Sequence, residues 1–196
     1  MRLDFDIIKH WIKPDTRVLD LGCGDGTLLA LLKESDNIEP LGIEIDSDAI
    51  TSCIAKDIPV IEQDLNYKLS NFETGSFDFV IMTQSLQTLN SPHIVLDEML
   101  RIGKESIITF PNFGHWRARL HLITKGTMPV SKDLPFAWYE TPNIHFCTVN
   151  DFEALCKEKG LRILNRTIVN RRNSPGLLAK QWPNMFGMTA LYHISR

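Results

Sequence analysis

Apolar positions along the chain change period in a regular order. Phe5, Ile7, Ile8, Trp11 and Ile12 recur at helical spacing before Pro14, predicting an amphipathic N-terminal helix within residues 1–15. Val18 to Leu21 then form a short apolar run, followed by Thr27 to Lys33 as a helix. The alternation continues with a strand over Pro40 to Asp46, a helix over Ser47 to Lys56 and short strands over Val60 to Asp64 and Phe77 to Met82. A helix over Pro92 to Arg101 leads to a fifth strand, Ser106 to Phe110. Strands of this kind, apolar nearly throughout and separated by helices, imply a parallel sheet covered on both faces.

Residues 111–150 break the rhythm. Proline, glycine, histidine and aromatic residues crowd together there, with helical periodicity only from Trp116 to Thr124, so the segment reads as a functional insertion, a lid or a partner surface. Asn150 or Asp151 is expected to cap a helix running to Lys159, which Gly160 stops. Leu161 to Val169 and Thr189 to Ile194 read as the last strands, with a basic loop at Arg171 and Arg172 and apolar residues at Leu177 and Leu178 between them. Nothing suggests a repeat or a linker, so residues 1–196 are expected to form one domain.

Composition narrows the function classes. A chain of 196 residues can bury a sizeable core without metal or disulfide support. Its 21 basic against 24 acidic residues, net charge −3, offer no phosphate track for nucleic acid. Acids at Asp4 and Asp6 stand where a signal peptide would be basic, and no apolar run approaches the roughly 20 residues of a membrane span, so a cytoplasmic location without membrane attachment is expected. Cys23, Cys53, Cys147 and Cys156 form no C-x-x-C pair, which argues against disulfides and a structural zinc.

The chemistry concentrates at strand ends. Asp20-Leu-Gly22-Cys23-Gly24-Asp-Gly26 fills the turn between the first strand and its helix, where glycines let backbone approach a ligand and a helix N-terminus aims amides at an anion. The dinucleotide fingerprint needs a glycine at position 27, which is threonine here. Asp20 would sit badly beside a pyrophosphate and well beside a cationic amino group, which points to S-adenosylmethionine or S-adenosylhomocysteine. Glu44, closing the second strand, can accept both ribose hydroxyls, and Asp64 with Leu65 can meet an adenine edge and face. Gln84 and Ser85 are candidates beside the sulfonium, and Asn112 and His115 for orienting or deprotonating an acceptor. His145 and Cys147 complete neither a metal set nor a nucleophile site.

These motifs together with Gln84-Ser-Leu-Gln87, Leu96-Asp-Glu-Met-Leu-Arg101, Phe110-Pro-Asn-Phe-Gly-His-Trp116 and Thr141-Pro-Asn-Ile-His145 resemble the methionine biosynthesis protein MetW family, within the class I S-adenosylmethionine-dependent methyltransferase fold. The resemblance implies a single Rossmann-like domain with a mostly parallel seven-stranded sheet, helices on both faces and an antiparallel C-terminal strand. It also implies a bacterial protein of methionine metabolism associated with the homoserine O-acyltransferase MetX. For the cofactor it implies the amino acid part at Asp20, Gly22 and Gly24, the ribose at Glu44, and the adenine near Ile45, Asp64 and Leu65. Two functions stay open: methyl transfer to a small acceptor, or a binding subunit that regulates the acyltransferase.

Overall fold

The computed structural model describes residues 3–130, 136–169, 179 and 181–196. The basic loop at Arg171 and Arg172 and the apolar pair Leu177 and Leu178 lie outside the described residues. The elements run α1 (Leu3–Trp11), β1 (Arg17–Leu21), α2 (Thr27–Asp36), β2 (Glu39–Glu44), α3 (Ser47–Ala55), β3 (Val60–Glu62), β4 (Phe77–Thr83), a 3-10 turn (Leu86–Thr88), α4 (Pro92–Ile102) and β5 (Gly103–Pro111). After them come α5 (Trp116–Lys125), α6 (Val149–Glu158), β6 (Arg162–Val169), α7 (Pro183–Phe186) and β7 (Thr189–Ser195).

The strands form one seven-stranded sheet in the order β3-β2-β1-β4-β5-β7-β6, with β7 antiparallel to both its neighbours. Strand order therefore reverses between β1 and β4, and their carboxyl ends define the crevice where open α/β sheets bind ligands. Side-chain alternation explains the two layers. On β4, Phe79 and Ile81 pack into the cluster built by Ile8 of α1, Leu28, Leu29 and Leu32 of α2 and Cys53 of α3. Val80 and Met82 face the other way, among Leu96 and Met99 of α4 and Phe152 of α6.

Several boundaries differ from the sequence expectation for local reasons. Strand β2 ends at Glu44, because Asp46 leaves the sheet to cap α3, accepting from the Ala49 amide at 2.8 Å. Strand β3 ends at Glu62, and Asp64 lies in the following turn, its Oδ1 accepting from the Asn66 backbone and side-chain amides. Thr148, rather than Asn150 or Asp151, caps α6. Its hydroxyl accepts from the Asp151 amide while the Asp151 carboxylate accepts from the Thr148 amide, a reciprocal capping box. The amphipathic start of the chain covers a sheet face as expected, with Trp11 stacked on His193 of β7.

Candidate functional site

Asp20, 1% exposed, sits near the end of β1 between Gly42 of β2 and Ile81 of β4. The chain then turns through Gly22, Gly24 and Gly26, all with positive φ. Gly22 is a place where only glycine fits: a Cβ there would stand 2.8 Å from Ser85 Oγ, so the loops after β1 and β4 touch at the switch point.

The amides of this loop are turned inward. Gly22 and Cys23 both donate to Ile43 O, Gly24 donates to Glu44 Oε2 at 2.8 Å, and Gly26 donates to Cys23 O. The first amide of α2, Thr27, donates to Asp25 Oδ1. The expected cradle of amides aimed at an anion is thus engaged by the protein itself, which leaves the loop poorly suited to a diphosphate and compatible with a zwitterion or cation beside Asp20.

A cavity of about 260 Å³ opens beside the loop, lined by Gly22, Glu44, Ile45, Asp64, Leu65 and Ser85 of the predicted set. Gln63, Asn66, Thr88 and Leu89 also line it and were not among the predicted residues; Gln63 and Asn66 flank Asp64 after β3, and Thr88 and Leu89 close the 3-10 turn. Ile45 is 59% exposed and Leu65 is buried; with Ile43 and Leu89 they make the apolar part of the lining. Glu44 is half-buried and tied locally, its Oε1 accepting from the Ile45 and Asp46 amides at 2.7 and 3.1 Å.

Other predicted residues fall elsewhere. The Cys23 thiol points beneath the loop, against Gly42 and 3.8 Å from the Cys53 sulfur, and Cys53 in turn donates to Gly24 O. Burial, then the field of Asp20, pushes the Cys23 thiol up from its usual range. Gln84 holds a left-handed conformation, φ 58°, rare for a residue with a side chain, and its amide donates to Thr109 O. Its carbonyl accepts from Gln87 Nε2, and the Gln87 carbonyl accepts from the Ile144 and His145 amides, so the loop after β4 anchors the 141–147 segment.

Asn112 is a clamp. Its Nδ2 donates to Asn184 O and Gly187 O while its Oδ1 accepts from Gly114 and Val149, filling both donor and acceptor capacity. No polar atom of that amide is left to orient an acceptor. His115 is the N-cap of α5, its Nδ1 accepting from the Arg117 amide at 3.3 Å. The cap thus engages Nδ1 with the backbone at the start of α5. His145 Nε2 lies 3.3 Å from Asn90 O, and among the described residues no group of three His, Cys, Asp or Glu could hold a metal ion.

The family model described as methionine biosynthesis protein MetW matches residues 2–194. The chain belongs to the MetW family. A bifunctional methionine biosynthesis protein MetXA/MetW from Rhodopirellula baltica is 34% identical over 79% of this chain and 26% of its own length. The mitochondrial ubiquinone biosynthesis O-methyltransferase of Saccharomyces cerevisiae is 28% identical over 61% of this chain and 44% of its own. The chain thus spans about a quarter of the first relative and under half of the second. Among solved structures, an S-adenosylmethionine-dependent methyltransferase from Mesorhizobium loti superposes with TM-score 0.71 at 14% identity, covering 100% of this MetW-family chain and 98% of that one. The [4+2]-cyclase SpnF reaches 0.68 at 16%, over 98% and 80%. The fold is therefore the Rossmann-like fold of S-adenosylmethionine-dependent methyltransferases, and the seven-stranded sheet with one antiparallel strand near its C-terminal edge is as expected. Among the described residues no helix is long and apolar enough to cross a membrane.

Proposed function

We propose that this MetW-family chain binds S-adenosylmethionine in the β1–β4 crevice and regulates the homoserine O-acyltransferase MetX by docking on it. Asp20 and the loop from Gly22 to Gly24 would take the amino acid part, Glu44 the ribose, Ile45, Asp64 and Leu65 the adenine, and Gln84 and Ser85 the neighbourhood of the sulfonium. When bound, the cofactor supplies a methyl group on a sulfonium. The observation that carries the regulatory reading is the asymmetry of the crevice. On the cofactor side Asp20, Glu44, Ile45 and Leu65 stand at or just beyond strand ends around one crevice, whereas on the acceptor side Asn112 is filled by four backbone partners and the His115 Nδ1 caps a helix. The name of the fused relative, MetXA/MetW, supports the partner. Regulation then follows from differential affinity: if the cofactor binds the docked and free states unequally, docking and cofactor binding report on each other by the same factor.

A second reading, methyl transfer to a small acceptor, is favoured by the left-handed Gln84 at the sulfonium side, since such strain clusters where ligands react. Positioning alone can drive that reaction without a base.

Calorimetric titration of the purified chain with S-adenosylmethionine, alone and with the acyltransferase present, separates the two. Cofactor binding that changes in affinity when the acyltransferase is added, with no S-adenosylhomocysteine formed, is the expected result. Cofactor turnover without the partner selects the enzyme. Absence of heat in every sample, together with an Asp20→Ala variant indistinguishable from the parent, removes the cofactor assignment.

A further inference from the structure

Helix α5 turns an apolar stripe outward. Trp116, Leu120 and Ile123 fall at i, i+4 and i+7 and share one face, yet they are 37%, 50% and 82% exposed. Ala118 is the buried residue of this helix. A ten-residue helix is marginal in water and takes its stability from packing its apolar face. Here that face meets solvent.

The same helix is electropositive. From Trp116 to Val130 the sequence has Arg117, Arg119 and Lys125 and no carboxylate, in a chain of net charge −3. Arg119 is folded back, its Nε donating to Gly114 O at 2.6 Å. Arg117 lies over the Trp116 ring, 5.4 Å from its centroid, so an indole and a planar cation form one anchor of the kind enriched at interface hot spots. The base of α5 is fixed. The Phe113 amide donates to Cys147 O at 3.0 Å and the Phe113 ring packs on Phe146 at 4.5 Å, which pins the two ends of the insertion together.

We infer that the outward face of α5 seats in an apolar groove rimmed by carboxylates on the acyltransferase, with Trp116, Leu120 and Ile123 as anchors and Arg117 and Lys125 facing the acidic rim. The inference rests on the proposal that the acyltransferase is the partner and adds which surface meets it. Anchors at helical spacing suit a helix laid in a groove. Unbalanced positive charge on the helix selects an acidic rim and speeds encounter.

The test is surface plasmon resonance of the full chain against the purified MetX acyltransferase of the same organism, at low and high salt. Leu120→Asp and Ile123→Asp should each weaken binding at least 30-fold. Arg117→Glu should slow association about tenfold at low salt and flatten its salt dependence. Ile94→Asp, at an exposed apolar position on α4, should stay within twofold of the parent. Unchanged melting temperatures and S-adenosylmethionine titrations keep these variants interpretable. If the parent binds the acyltransferase and Leu120→Asp and Ile123→Asp bind as well, the α5 surface is overturned while the partner stands. If the parent itself fails to bind, the partner reading falls and takes this inference with it. Sedimentation showing self-association abolished by Leu120→Asp, or stripe-dependent binding to phosphatidylglycerol vesicles, assigns the face to a second copy or to a lipid surface and also overturns it.

Discussion

Gly22→Ala tests whether the meeting of the loops after β1 and β4 shapes the crevice. Gly22 has φ 74°, and a side chain in that region costs about 1–2 kcal/mol. The added Cβ would also stand 2.8 Å from Ser85 Oγ and 3.3 Å from Ser85 Cβ. Rotating the hydroxyl away breaks its 3.1 Å bond to Thr83 O, a loss of about 1 kcal/mol, and the backbone must still yield. The sum is about 2–3 kcal/mol, or roughly 4–12 °C in melting temperature for a domain of this size. Gly75→Ala is the control. Gly75 has φ 69° with nothing within 4 Å of its would-be Cβ, so it carries the backbone cost alone. Differential scanning fluorimetry should separate the two by several degrees, and calorimetry should show S-adenosylmethionine affinity at least about tenfold weaker for Gly22→Ala only, which is about 1.4 kcal/mol. Equal melting temperatures for the two variants, with the parent's affinity kept in both, would refute the close approach as the reason for this glycine.

Asn112→Ala removes four hydrogen bonds that join β5, the start of α6 and the segment before β7; about 3 kcal/mol of stability and roughly 6–12 °C should be lost by thermal denaturation. Burial pushes the Cys147 thiol up to about 12 and the Cys156 thiol up to about 11, and raises Cys23 and Cys53 as well. At pH 8 Cys147 is then thiolate in about one molecule in 10,000, so a disulfide reagent should label the native chain slowly and all 4 thiols in guanidinium. A rapid native thiol would contradict this. The Lys56 ammonium, with help from Thr27, holds the Asp25 carboxyl down to about 2. Its contribution is therefore present above the ordinary carboxylate range and lost as pH falls from about 4 toward 2, within about 1 kcal/mol for so exposed a pair. Lys56→Met should raise the Asp25 midpoint in a carbon-detected NMR titration.

What the sequence revealed and what it hid divide by distance along the chain. The glycine turn, Glu44 and Leu65 could be located because each lies at a strand end or within a few residues of one, and alternating strands and helices bring such ends to one edge of the sheet. Asn112 was not, since its partners at Gly114, Val149, Asn184 and Gly187 lie up to 75 residues away and a buried amide looks like an accessible one in a string of letters. His115 carried a chemical suggestion, and the structure adds its place as a helix cap through Nδ1, which no letter of the sequence announces. The left-handed backbone at Gln84 had no glycine to announce it; it follows from the Thr109 hydroxyl and carbonyl that hold the Gln84 amide across β4 and β5. Aromatic crowding between 111 and 147 set this segment apart in the sequence, but only exposure separates outward Trp116 and Ile123 from inward Ala118.

With the ribose assigned to Glu44 as proposed, recognition of the cofactor is coupled to the shape of the loop. A carboxylate offers about four acceptor positions, and Gly24, Ile45 and Asp46 fill three. Two vicinal ribose hydroxyls need two. Bidentate recognition therefore requires one amide to release its place, and the bond from Gly24 is the long-range one, reaching back 20 residues, whereas the other two close Glu44's own turn. Release of Gly24 is felt beyond the crevice, because Gly24 O accepts from the Cys53 thiol and Asp25 O from Lys56, which tie the loop to α3. A ligand that engages both hydroxyls must then alter the contact between the glycine loop and α3, and one that engages a single hydroxyl need not. On that assignment, preference for an intact over a deoxygenated ribose should follow the acceptor capacity of the Glu44 carboxylate.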